Sequence, residues 1–233
     1  MTLRRTLPAT PITRAAAFLT ALVISATAIY LLLEYQSLPD LLPVHFNRRG
    51  VANGWQYRTL PRVLIPVGVQ ALLALIFGMI AALLLSRPHG DHDEMAPDVR
   101  AALAAAEAVV LIALVWVTFQ GYAAFALARM WTSESARLPL YNIFGMAGVA
   151  MTMVVGIRAQ QRLGRPEPRP YVASHWRLGQ LYRNADDPAL FVPTRDGRRW
   201  TLNFGRPVAG ALLGFILVLG VLGPTVLIAL ALR

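Results

Sequence analysis

Apolar and polar residues alternate along this chain in long blocks. Five apolar blocks are each long enough to cross a hydrocarbon core of about 30 Å, which takes about 20 residues of helix. Lipid offers no partners to backbone N–H and C=O groups, so these blocks are predicted to be helices. The predicted spans are residues 15–33, 63–86, 108–128, 138–157 and 208–232. The predicted fold is an all-α polytopic membrane protein with about five transmembrane helices.

The polar segments between the blocks divide the chain further. Residues 1–100 form an N-terminal membrane domain with an ordered cap loop at 34–61, and residues 101–157 form a central helix pair. Residues 158–207 are an arginine-rich loop that holds a small β-hairpin, and residues 208–233 are the C-terminal transmembrane helix. The first block could instead be a signal peptide, but it ends in Leu31-Leu32-Leu33-Glu34 without a small-residue cleavage pattern, so we expect an anchor.

The basic residues predict an orientation. All 22 are arginines, and a cytoplasmic N-terminus places fifteen of them, including the ten within 158–207, on the cytoplasmic side. Cytoplasmic loops retain arginine and lysine during insertion. We therefore expect an external first loop and a cytoplasmic 158–207 segment.

Composition agrees with a membrane protein and narrows the functional classes. The chain is 56% hydrophobic and 15% charged, with a mean hydropathy of +0.51. The net charge is +10, but the sequence lacks the basic groove with interleaved aromatic residues that nucleic-acid binding requires, so we expect no nucleic-acid partner. We expect instead that the arginine-rich stretch 158–169 contacts anionic membrane lipid. The absence of cysteine excludes disulfides, thiolate zinc sites and cysteine catalysis.

The first loop carries the external candidate site. Prolines and glycines, including Gly50 and Asn53-Gly54, predict two tight turns. Polar and aromatic side chains between and after the turns form a candidate pocket for a ligand: Asp40, His45, Asn47 and Trp55. The alternative is that Trp55 and Tyr57 belong to the aromatic belt of the membrane interface and His45 bonds a turn carbonyl. Asp40 and His45 alone are too few ligands for zinc.

The same loop resembles a known family. Residues 38–55 read LPDLLPVHFNRRGVANGW and follow the first predicted helix, as in the uncharacterised N-terminal membrane domain of the SdpI-type immunity proteins. Those bacterial membrane proteins protect a cell from a secreted toxin peptide, and the type member relays its presence to a transcriptional repressor. The resemblance covers about the first third of the chain and implies a bacterial plasma-membrane protein. The domain also occurs in proteins of no known role.

A second motif lies near the C-terminus. Residues 176–193 read WRLGQLYRNADDPALFVP and continue to TLNFGRP at 201–207. This motif is similar to a second small uncharacterised domain that accompanies the first in bacterial and archaeal membrane proteins. The SdpI type has a different multi-helix region there.

The residues of the second motif predict a small hairpin and a docking face for a partner. Asp196-Gly197 favours a tight hairpin turn in which both central residues have positive φ. The turn at 184–188 has short polar side chains that bond local backbone, although oxygen ligands of this kind also suit calcium or magnesium. The candidate docking residues are Trp176, Tyr182, Asn184, Asp187, Trp200 and Asn203.

Two other features with ionisable residues, the segment 89–94 and Glu107, each allow two interpretations. The run His89-Gly90-Asp91-His92-Asp93-Glu94 suits a divalent ion or a solvated loop, and the loop interpretation is favoured. Glu107 lies two turns inside the third helix if that helix begins near Arg100, or at the headgroup boundary if it begins at Ala108, which we favour. Gln120 is expected to face a protein interior.

The sequence shows no acid–base or nucleophile constellation, so we expect neither an enzyme nor a cofactor. Three hypotheses remain. The first is a non-enzymatic sensor or immunity protein that meets an external toxin peptide or lipid and docks a partner through the cytoplasmic hairpin. The others are a small transporter and an accessory subunit of a larger membrane-protein complex.

Overall fold

A computed structural model of the chain describes residues 6–46, 52–86, 96–132, 141–215 and 217. Within those residues, four helices are long and apolar enough to cross a membrane, so the chain is a mostly helical, multi-pass membrane protein. The helices are α1 (Pro11–Glu34), α2 (Leu60–Val63), α3 (Ile65–Leu85), α4 (Pro97–Thr132) and α5 (Tyr141–Leu163). The four long helices contain or overlap the first four predicted spans. The backbone is helical again over 207–215, and most of the predicted span 208–232 lies outside the described residues.

Helix α4 corrects the predicted start of the third span. It begins at Pro97 rather than Ala108 and has 36 residues, a length of about 54 Å. Residues 97–107 are rich in alanine, the strongest helix former, and they begin with a proline at a position where no N–H is needed. Asp98 in the first turn complements the helix dipole. Helix propensity therefore extends α4 beyond its apolar run.

Three antiparallel strand pairs accompany the helices. Strands β1 (Leu41–Phe46) and β2 (Ala52–Tyr57) form the first hairpin. Strands β3 (Trp176–Arg177) and β4 (Leu181–Tyr182) form the second, and β5 (Phe191–Pro193) and β6 (Trp200–Leu202) form the third. The third pair is the hairpin that the sequence predicted, whereas the first two are additional.

Two predicted turns are wrong in detail. Asn53 and Gly54 lie inside β2 rather than in a turn. In the β5–β6 connection only Gly197 has positive φ, and the loop spans 194–199 instead of two residues. The Asp196 carboxylate explains the longer loop, because its Oδ1 accepts hydrogen bonds from the Thr194 hydroxyl and the Arg198 N–H.

The described residues divide into two compact units. One contains Pro11–Gly78 and Ala108–Arg158, and its core joins α1, α4 and the first hairpin through Leu31, Leu42 and Trp131. The other contains Met1–Thr10, Met79–Glu107 and Ala159–Arg233. Its apolar clusters are centred on Leu7, Val99 and Ala102, and on Tyr182, Ala189 and Val192.

Candidate functional site

The β1–β2 hairpin is tied to the end of α1 by Arg58. Its Nη1 donates hydrogen bonds of 2.7 Å to the carbonyl oxygens of Tyr35 and Leu38, and its guanidinium lies 5.0 Å from the Tyr35 ring centroid. Its Nη2 donates to Asp40 Oδ1 at 3.1 Å. One arginine therefore binds the carbonyls released where α1 ends, which are the groups that a helix terminus leaves without partners.

A second anchor joins the hairpin to α4. The Trp131 indole N–H donates to the Pro43 carbonyl at 3.0 Å, and Leu42 is fully buried in the same cluster. Successive strand residues point to opposite faces, so the burial of Leu42 fixes which face of β1 is turned away from the bundle. The hairpin is consequently held in one orientation.

The outward face of the hairpin is apolar and exposed. Pro43 pairs with Trp55 and Leu41 pairs with Tyr57, so these side chains share one face. Trp55 is 56% exposed and Tyr57 is 73% exposed, and Leu41 is also exposed. Large apolar side chains that remain exposed on a fixed scaffold are typical of an interaction surface. We call Leu41, Trp55 and Tyr57 the hairpin face.

The polar residues of the predicted ligand pocket make different contacts in the structure. Asp40 is exposed but engaged with Arg58. His45 is exposed, and its Nδ1–H donates to Asn53 Oδ1 at 2.5 Å across the hairpin rather than to a turn carbonyl. Gly54 lies opposite His45, where an added Cβ would come within 2.9 Å of the His45 Cβ. Asn47 lies outside the described residues.

The second unit contains a small domain, residues 164–206, organised around Asn203. This side chain is fully buried. Its Nδ2 donates to the carbonyl oxygens of Asn184, Asp187 and Ala189 at 2.8–3.2 Å, and its Oδ1 accepts from the N–H groups of Asn184 and Gly205. A buried amide with these five bonds closes the 184–190 turn against the chain that follows β6. Asn203 therefore has an internal role, and its side chain is not on the surface as predicted for docking.

Asp187 joins the 184–190 turn to two other elements. Its Oδ2 accepts from Arg169 Nη1 at 2.8 Å and from the Tyr182 hydroxyl at 3.1 Å, and its Oδ1 accepts from the Ala189 N–H. Asn184 Oδ1 accepts from the Asp186 N–H. Burial, with a smaller contribution from the nearby Asp187 charge, raises the pKa of Tyr182 above its ordinary value. These oxygens thus show the turn chemistry that the sequence favoured.

The half-buried indoles of Trp176 and Trp200 line clefts of this domain. Trp176 contacts the Tyr182 ring edge-on at 5.4 Å, and both border a cleft with an empty volume of about 430 Å³. Arg195 also borders this cleft and lies 4.8 Å from the Tyr171 ring centroid. Trp200 donates its N–H to the Gly164 carbonyl. Aromatic and guanidinium groups are available here for a partner.

Glu107 is buried at the point where three segments meet. Glu107 directly precedes the apolar run of α4 in the sequence, and only 2% of its surface is exposed. Its Oε1 accepts from Arg162 near the end of α5, and its Oε2 accepts from the Thr10 hydroxyl at 2.9 Å. The favoured expectation placed Glu107 at the headgroup boundary, because the helix was expected to begin there. Helix α4 begins earlier, at Pro97, and the carboxylate is buried in protein and paired with a cation.

Gln70 is a buried polar residue that the sequence analysis missed. Its Nε2 donates to Thr27 Oγ1 at 3.2 Å and to the Val117 carbonyl at 2.9 Å. Gly121 lies beside it, where a Cβ would come within 3.1 Å of both Gln70 Nε2 and Thr27 Oγ1. The available signal was that Gln70 is the only polar side chain within α3. Gln120 is partly exposed rather than interior.

The described residues contain no group of three or more histidine, cysteine or acidic side chains that could hold a metal ion. The candidate segment 89–94 lies outside those residues. The described part has an exposed apolar surface at the hairpin face, and clefts lined by Trp176 and Trp200 in the 164–206 domain.

Comparison with known proteins locates a family resemblance in the first hairpin. A family model described as "Domain of unknown function (DUF1648)" matches residues 22–70, which run from within α1 through the hairpin into α3. No curated protein and no solved structure gives a match. The match covers about a fifth of the chain and does not include the 164–206 domain. Residues 22–70 are therefore similar to a domain that occurs in SdpI-like membrane proteins.

Proposed function

We propose that this protein is a non-enzymatic sensor or immunity protein of the bacterial plasma membrane. In this proposal the hairpin face meets an amphipathic peptide or lipid outside the cell, and the 164–206 domain docks a partner inside. The observation that carries the proposal is the fixed, exposed apolar surface of Leu41, Trp55 and Tyr57. Aromatic side chains held in place bind apolar ligands at a low cost in conformational entropy.

The anchors of the hairpin support recognition rather than loose contact. Arg58 and Trp131 hold the backbone of β1 and of the end of α1, so binding at the hairpin face does not have to order the loop first. The same anchors join the hairpin to both α1 and α4. A ligand that moves the hairpin would therefore act directly on two of the candidate spans.

The proposed topology places the two surfaces on opposite sides of the membrane. Each span reverses the side of the chain, so an external first loop implies a cytoplasmic segment after α5. A fifth span at 208–232 would then return the C-terminus to the outside. The excess of arginine in 158–207 supports this orientation.

Survival of a toxin-sensitive host tests the immunity role. Expression of the chain should raise survival against at least one member of a panel of membrane-active peptides. The double variant Leu41→Ala/Trp55→Ala should lose this protection, whereas Gln56→Ala, an exposed neighbour on the same strand, should keep it. Unchanged killing across the whole panel would remove the immunity proposal.

Direct binding separates recognition from the aromatic-belt alternative. Protein in nanodiscs would be titrated with a protective peptide, and the double variant should bind about thirtyfold more weakly, as for the loss of an aromatic hot spot. If Trp55 and Tyr57 only position the chain in the interface, the double variant will lower thermal stability in the bilayer and leave peptide affinity unchanged.

A small transporter is the second candidate, and the burial of Glu107 favours it. A buried carboxylate beside membrane helices is a common proton or cation site. The pairing with Arg162 argues for a structural role, because the negative charge already has a partner. Glu107→Gln should abolish flux of a transported solute if the carboxylate carries a proton. Unaltered flux would exclude that role.

An accessory subunit is supported by an apolar groove between α4 and α5. The groove is lined by Trp116, Phe119, Gly145, Met146 and Met153, and several apolar side chains of α5 are exposed beside it. A partner helix in this groove would co-purify at a fixed stoichiometry after mild solubilisation. Purification of the chain alone would favour lipid as the occupant.

A further inference from the structure

The tip of the β3–β4 hairpin has an unusual backbone. Leu178 has φ of +50° and Gly179 has φ of +73°, and the Gln180 N–H bonds the Arg177 carbonyl at 3.2 Å to close the turn. Two successive positive φ values are typical of the tight turns that join hairpin strands. Glycine and asparagine suit these positions, whereas a leucine is strained there.

The Leu178 side chain gains little from packing within the described chain. It is 92% exposed, the highest value among the large exposed hydrophobic residues of the structure. A strained backbone that is not compensated by packing indicates a role for the side chain outside the fold. The exposed Leu178 side chain is therefore a candidate for contact with another molecule.

The hairpin that carries Leu178 has two different faces. Trp176 and Tyr182 pair across the strands and pack on Ala189 and Val192. Arg177 pairs with Leu181 on the opposite face, and the Arg183 N–H bonds the His175 carbonyl, which continues the same register. Arg177, Leu181 and Arg183 are all exposed. We call Arg177, Leu178, Leu181 and Arg183 the tip patch.

We propose that the tip patch docks on the anionic lipid leaflet next to the 164–206 domain. Leu178 and Leu181 would enter the headgroup region, and the two arginines would bind lipid phosphates. Charge complementarity supports this occupant, because residues 158–207 contain ten arginines and four acidic residues. The domain also follows α5, a candidate span, directly along the chain. This inference does not depend on the proposed external recognition.

Single-cysteine labelling of the full chain tests the docking, since the sequence has no cysteine. Leu178→Cys would carry an environment-sensitive fluorophore in vesicles of phosphatidylcholine alone or with phosphatidylglycerol. Ala185→Cys, an exposed position on the 184–190 turn, is the matched control. With the anionic lipid, the probe at 178 should emit at shorter wavelength and be quenched by spin-labelled lipid. The probe at 185 should stay accessible to an aqueous quencher.

Three further variants identify the contributing residues without unfolding the domain. Leu178→Gly fits the positive φ, so it should leave the turn intact while a probe at Leu181→Cys loses its lipid quenching. Arg177→Gln and Arg183→Gln should each lower the ratio of docked to free domain about fivefold, and added salt should do the same.

Two outcomes would overturn the proposal. If the probe at 178 stays accessible to water in both kinds of vesicle, the tip does not dock on lipid. If the probe is shielded in detergent and in neutral vesicles alike and is not quenched by spin-labelled lipid, the tip patch contacts protein, either a partner or a second copy of this chain.

Discussion

Replacing Asn203 by alanine is expected to open the 164–206 domain. The side chain makes five hydrogen bonds to backbone groups of residues 184, 187, 189 and 205, and it is fully buried. Alanine removes all five bonds together. It leaves three carbonyl groups and one N–H group of the turn, and the Gly205 N–H after β6, without those partners.

The magnitude follows from the number of bonds. The two amide hydrogens of Asn203 are shared among three carbonyl oxygens, so the five contacts count as about four full hydrogen bonds, and a net contribution of about 1 kcal/mol for each gives about 4 kcal/mol. The turn around Ala185 and Asp186 is exposed, so water will satisfy some of the released groups. The expected loss is about 3–5 kcal/mol in the free energy of opening this domain. That loss corresponds to a rise of more than about a hundredfold in the exchange rate of its protected amides.

Hydrogen exchange with mass spectrometry on the full chain in nanodiscs measures this loss. Asn184→Ala is the matched control, because the Asn184 side chain accepts one bond from Asp186 within an exposed turn and its backbone stays available to Asn203. The control should cost about 1 kcal/mol. Equal exchange in the two variants, or protection at the wild-type level in Asn203→Ala, would refute the role of Asn203.

Three other predictions concern single positions. Gly54→Ala should destabilise the first hairpin by about 1–3 kcal/mol, because the added Cβ would come within 2.9 Å of the His45 Cβ. Faster exchange of the hairpin amides would show this loss of stability. Gly68→Ala is the control, since an added Cβ there would have no atom within 4 Å. The raised pKa of Tyr182 means that the folded domain keeps a proton that the unfolded chain loses, so stability should fall as pH rises above about 10. An ultraviolet titration should show a late tyrosinate component that disappears in Tyr182→Phe. Leu178→Gly should slow amide exchange of the β3–β4 hairpin in neutral detergent by relieving about 1 kcal/mol of strain; faster exchange would contradict the strain.

Helices and the third hairpin were predictable because their signals are local. The length of the apolar runs alone located the four long helices that the structure describes, because a run of about 20 apolar residues can be recognised without knowing what it packs against. The β5–β6 pair was predicted from Asp196-Gly197 between two apolar runs. The residues at which the helices begin and end were less predictable. Helix α4 extends to Pro97 because alanine continues the helix where the apolar run has ended.

Contacts between distant residues were not predictable from one sequence. Glu107 and Arg162 are 55 positions apart, and no local pattern pairs them. The role of Asn203 depends on a turn 13 to 19 residues earlier, so its motif suggested a surface residue although it is buried. Leu178 gave no signal at all, because a leucine at positive φ contradicts its own preference.

The two surfaces are proposed to lie on opposite sides of the membrane, and the side on which each lies can be measured directly. Gln56→Cys on β2 and Ser174→Cys before β3 are exposed positions in a chain without cysteine. Each variant would be treated with a membrane-impermeant maleimide in intact cells, with lysed cells as the control for accessibility. We expect labelling at position 56 in intact cells, and labelling at position 174 only after the cells are lysed. Labelling of both in intact cells, or of neither, would contradict a receptor with a recognition hairpin outside and a docking domain inside.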